Sequence, residues 1–68
     1  MKKELYDTLA LIEVTNWYCG KVSALYAWSN NCTIENRSEQ NKVRRTLKKI
    51  GYTCSIWGGI ISQIRKIK

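Results

Sequence analysis

Residues 36–51 carry every local signal that starts, sustains and stops a helix, and the rest of the 68-residue chain must pack around that segment. Asn36 offers a side-chain oxygen to an orphan N–H of the first turn, and Glu39, three residues on, is spaced to reach back to the cap. Val43, Leu47 and Ile50 recur at helical spacing and make one apolar stripe. Gly51 follows the last of them, where a left-handed residue ends a helix at little cost. Lys48 and Lys49 fall in the final turn, where positive charge complements the helix dipole. The pattern predicts a helix over 37–50. On its wheel Arg45, Lys48 and Lys49 point away from the stripe, and Lys42 and Arg44 flank it.

The charge is as uneven as the helix is clear. Nine of the twelve Lys and Arg residues lie in 36–68 against one acid, Glu39, so this stretch sums to +8. Residues 1–35 carry three bases and four acids and sum to −1, which gives the net +7. Such a concentration suits an anionic partner: several phosphates neutralised at once release counterions. A solvated face that only keeps the chain in solution would have the same composition.

After the first helix the pattern resembles the second half of a helix-turn-helix. Residues 50–53 would be the turn, with Gly51 where φ must be positive and Thr53 as the next cap. Ile56, Trp57, Ile60, Ile61, Ile64 and Ile67 then step by threes and fours, as a helix would. Arg65, Lys66 and Lys68 would extend the basic face if the two helices lay side by side. Against this, Gly58 and Gly59 fall in the middle of the second helix and Leu47 is bulky where a small residue is usual. The alternative is a strand over 52–57, on the alternation of Tyr52, Cys54 and Ile56, then a Gly-Gly turn and a shorter helix or strand, with the three-residue steps after Gly59 favouring helix. That version gives an α+β fold with a short strand or hairpin near 52–61.

In the N-terminal half, Leu5, Leu9 and Ile12 make one stripe and Leu11, Val14 and Tyr18 another, which predicts a helix over 3–18. A strand over 12–17 is compatible with the β-branched and aromatic residues there. Val22, Leu25 and Trp28 predict a shorter helix over 21–28, and Ser29, Asn30 and Asn31 a turn.

At this length one domain, 1–68, with modest stability is expected. The three cysteines are isolated and His is absent, so no metal site, no cofactor and no acid–base machinery are indicated. Cys19 has Lys21 alone as a basic neighbour, which is thin support for an activated nucleophile against a small buried hydrophobe. Reduced thiols and no visible leader pattern give the expectation of a cytoplasmic chain. A membrane is a disfavoured partner, because the basic amphipathic segment 56–68 also fits a core-facing helix.

The resulting expectation is a mainly α three- to four-helix bundle with a helix-turn-helix-like C-terminal half. It would be a non-catalytic, DNA- or RNA-contacting regulator that acts through Lys42, Arg44, Arg45, Lys48, Lys49, Arg65, Lys66 and Lys68. The alternative is a phage or mobile-element inhibitor or adaptor, of the anti-defence type, that binds an acidic surface of a host protein and blocks it. Tyr52, Trp57 or Trp28, if exposed, would anchor such an interface, although core packing is the commoner fate of a Trp. A homodimer is compatible with either.

Overall fold

The structure is a computed structural model that describes residues 2–67. Its elements run α1 (Lys2–Leu11), β1 (Glu13–Asn16), β2 (Gly20–Ser23), α2 (Ala24–Asn30), α3 (Arg37–Lys49), β3 (Tyr52–Trp57) and β4 (Ile60–Lys66). The fold is therefore α+β, with three helices and two separate antiparallel hairpins, and not the mainly α bundle.

The helix over 3–18 stops at Leu11. Leu5, Leu9 and Ile12 are buried as its first stripe requires, but Leu11 and Tyr18 of the second stripe are exposed. From Glu13 the pattern changes to alternation: Val14 and Asn16 point inward, Glu13 and Thr15 outward. The β-branched pair Val14-Thr15 fits a half-buried strand better than a helix. β1 pairs with β2 from Glu13↔Ser23 to Asn16↔Gly20. Trp17, Tyr18 and Cys19 form the three-residue loop between them, and Gly20 takes the positive φ (81°) that such loops need. The helix over 21–28 thus starts late, at Ala24. Ser23 caps it, accepting from Tyr26 N–H at 3.0 Å, and Asn31 ends it in a left-handed conformation.

α3 is the helix that the local signals dictate. Asn36 Oδ1 accepts from Ser38 N–H at 3.1 Å, and Val43 and Leu47 are buried. Ile50 and Gly51 close it through bonds to Leu47 O and Lys48 O, each 3.1 Å.

The helix-turn-helix-like half is absent: residues 52–66 form a hairpin. Its turn is Gly58-Gly59, both with positive φ (57° and 84°), which is a two-residue hairpin turn and a poor helix interior. Gly59 is also pressed against the 33–34 segment: a Cβ there would lie 2.7 Å from Thr33 Cγ2 and 2.8 Å from Ile34 O. The register runs Cys54↔Ile64, Ser55↔Gln63, then Ile56↔Ile61, so Ser62 is an extra residue in a bulge. Because the bulge restarts the alternation, Ile61 and Ile64 both meet the core although they are three residues apart. Strand 52–57 and its Gly-Gly turn match the α+β alternative, but β4 runs on as a strand to Lys66 where three-residue steps had suggested helix.

Leu5, Leu9, Ile12, Val14, Ala24, Ala27, Ile34, Val43, Leu47, Tyr52 and Ile61 form one buried cluster that joins every element but β2, whose half-buried Val22 packs against it. One peptide unit ties the two hairpin tips together. The Thr33 carbonyl accepts from Asn16 Nδ2 at 2.7 Å, while the Ile34 N–H donates to Gly59 O at 2.7 Å. The tips thus flank the loop that leads into α3.

Candidate functional site

Burying Val43 and Leu47 against the core turns the opposite arc of α3 to solvent. Lys42, Arg44, Arg45, Lys48 and Lys49 are all exposed on that arc. Arg37 joins them in the first turn, seven residues before Arg44 and so on the same side. It was passed over because it stands beside the cap, yet its spacing placed it on the basic face. From Arg37 to Lys49 the arc extends about 18 Å. Among the described residues the ion pair present is Lys3–Asp7, on α1, and no carboxylate lies within 4.0 Å of an α3 cation.

The two acids closest to this helix in sequence are engaged elsewhere. Glu39 does not reach back to its own cap. Its carboxylate accepts from Thr15 N–H at 2.8 Å and from Thr15 Oγ1 at 3.0 Å, while Glu35 accepts from Trp17 N–H at 3.1 Å. Thr15 and Trp17 are two apart, so their N–H groups point to the same side of β1. Two carboxylates thereby stand in for a third strand on that edge. They face β1, and the outward arc of α3 is left purely cationic.

Arg44 marks the flank of the arc nearest β3. Burial pushes the Cys54 thiol up, and the Arg44 guanidinium opposes that shift, which places the two within electrostatic reach. The Cys32 thiol is also pushed up, by burial first and then by its neighbour Cys19. Both shifts favour the neutral thiol over the nucleophilic thiolate.

The remaining basic residues do not all join the arc. Arg65 pairs with Thr53, and Tyr52 is core-facing, so Arg65 lies on the hairpin face turned away from α3. Lys66 pairs with Tyr52, beside Gly51 at the C-terminal end of α3, where Ile67 N–H bonds Gly51 O at 2.9 Å. Lys68 lies outside the described residues.

The aromatic residues also divide. Tyr52 is only 8 % exposed and belongs to the core, so it is no interface anchor, whereas Trp57 is 74 % exposed at the hairpin tip. Trp28 is half-buried against Tyr6, ring centroids 6.0 Å apart. Trp17, expected in the core like the others, is 81 % exposed beside Tyr18 at 87 %. Sequence reading missed this pair because it placed both on a helix.

No helix among the described residues is long and apolar enough to cross a membrane. Comparison with protein-family models, with curated proteins and with solved structures finds no match to this chain.

Proposed function

We propose that this protein is a non-catalytic nucleic-acid-contacting regulator whose α3 arc lies along a phosphate backbone. One observation carries the reading: Arg37, Lys42, Arg44, Arg45, Lys48 and Lys49 face solvent on one side of one helix, with no carboxylate among the described residues pairing them. Like charges three and four residues apart destabilise a helix by about 0.2–0.5 kcal/mol per pair. Lys48 and Lys49 gain from the helix dipole in the last turn, but the like-charge spacing itself returns nothing to an isolated fold, and a row of phosphates relieves it. The contact is of the backbone type, since a hairpin occupies the place of a recognition helix and few long polar side chains are aimed at base edges. Titration with duplex DNA and with RNA at low salt tests it. Binding should weaken steeply as salt rises, and Arg45→Glu/Lys48→Glu should weaken it on the order of 100-fold. No binding at low salt sinks the reading.

A second reading is favoured by Trp57. An exposed Trp at a tight, anchored hairpin tip suits a protein interface, as in an inhibitor or adaptor that blocks a host protein. Its test is retention of a host protein from nuclease-treated lysate, lost in Trp57→Ala. If no protein is retained, this reading fails.

A further inference from the structure

We infer that Trp17 and Tyr18 form a stacking platform for unpaired bases, so that the nucleic acid taken by this protein is a single strand. The inference rests on the reading of α3 as phosphate-facing and names which form of nucleic acid that surface selects.

The β1–β2 loop is fixed from beneath while its two rings are left out. Asn16 is buried at 5 %, and its Oδ1 accepts from Tyr18 N–H at 2.9 Å and from Cys19 N–H at 2.8 Å. Its Nδ2 donates to Thr33 O at 2.7 Å, which ties the loop to the segment that leads into α3. Trp17 N–H is held by Glu35, the residue before the α3 cap. The backbone of a loop so bonded is ordered before any ligand arrives. Yet the Trp17 and Tyr18 rings, with centroids 6.1 Å apart and planes at 55°, bury little of their area against the fold.

Trp17 lines a shallow pocket with Thr15, Glu35 and Asn36, the cap of α3, so the loop stands beside the turn where Arg37 begins the cationic arc. An ordered aromatic pair at the end of a basic track is the combination that binds single strands: phosphates follow the cations and bases stack on the rings. A duplex satisfies only the first part, because its bases are already stacked on one another. Stacking is indifferent to sequence, which agrees with a surface that offers few groups to base edges.

The test is fluorescence polarisation with labelled single strands of about ten nucleotides, deoxy and ribo, against a duplex of equal length at low salt. Single strands should bind more tightly than duplex. Trp17→Ala/Tyr18→Ala should weaken single-strand binding by about tenfold or more and leave duplex binding unchanged. Trp17→Phe/Tyr18→Phe, which keeps two rings, should restore most of it. Both positions are exposed, and circular dichroism of each variant verifies the fold. Equal weakening of both forms, or no change in either, overturns the platform while leaving the α3 arc intact. So does a host protein retained by the wild type and lost in the alanine pair without any single-strand preference. If no nucleic acid binds at all, and Arg45→Glu/Lys48→Glu therefore has nothing to abolish, it is the α3 reading that has failed.

Discussion

α1 and α3 bury their inner faces in the same way and treat their outer faces in opposite ways. Leu5 and Leu9 seat α1; Val43 and Leu47 seat α3; all four belong to one core. Outside, α1 mixes signs and closes a Lys3–Asp7 pair at 3.4 Å, four residues apart. α3 sets cation beside cation from Lys42 to Lys49, with Arg37 in its first turn, and turns its one acid, Glu39, toward β1. The inner faces show what folding requires. The outer face of α3 goes beyond that requirement and even opposes it, and this excess is what points to a partner.

The comparison breaks first if the inner faces are not equivalent. Leu9→Ala and Leu47→Ala, both at fully buried positions, should each cost about 2–5 kcal/mol. That approaches the whole stability of a domain this small, so urea midpoints should fall sharply in both. A cost below about 1 kcal/mol at Leu47 would mean α3 is not seated as described. Next in size is the outer face. Arg45→Glu/Lys48→Glu should weaken nucleic-acid binding on the order of 100-fold at low salt, about 2.7 kcal/mol. Its melting temperature should change little, because the relief of like-charge neighbours offsets the loss of a cation at the negative end of the helix dipole. A large fall in melting temperature would show that these side chains serve the fold.

Glu39→Ala comes third. It leaves the Thr15 N–H and hydroxyl to water at a partly exposed site, a loss of about 1 kcal/mol read from chemical unfolding. Unchanged stability would mean that the carboxylate does not hold the β1 edge. The smallest effect is on α1. Lys3→Ala removes an exposed pair and should shift stability by less than about 0.5 kcal/mol. Thermal melts at low and high salt should show α1 indifferent to this change.

α3 was legible in the sequence because its determinants are local: Asn36, the Val43–Leu47 step and Gly51 act within one element. The basic arc followed from the same periodicity, and Arg37 could have been read with it. The C-terminal half was misread for a definite reason. A bulge at Ser62 puts Ile61 and Ile64 on one face at a spacing of three, and that spacing is also a helix's. Only the Gly58-Gly59 pair argued otherwise. The N-terminal half misled in a similar way, since the four-residue step from Leu5 to Leu9 was carried past Leu11 into residues that alternate. The roles of Glu39, Glu35 and Asn16 had no local signal. Their partners lie 24, 18 and 17 residues away, and such pairings exist only once the chain has closed on itself.

The most direct measurement is the salt dependence of nucleic-acid affinity for wild type and for Arg45→Glu/Lys48→Glu. For the wild type, log K against log salt should fall with a slope of about −3 or steeper, as three or more phosphates are neutralised. The slope should become shallower by about two in the variant. A wild-type slope near zero, or equal slopes in the two proteins, would contradict the claim that the outward arc of α3 exists to meet phosphates.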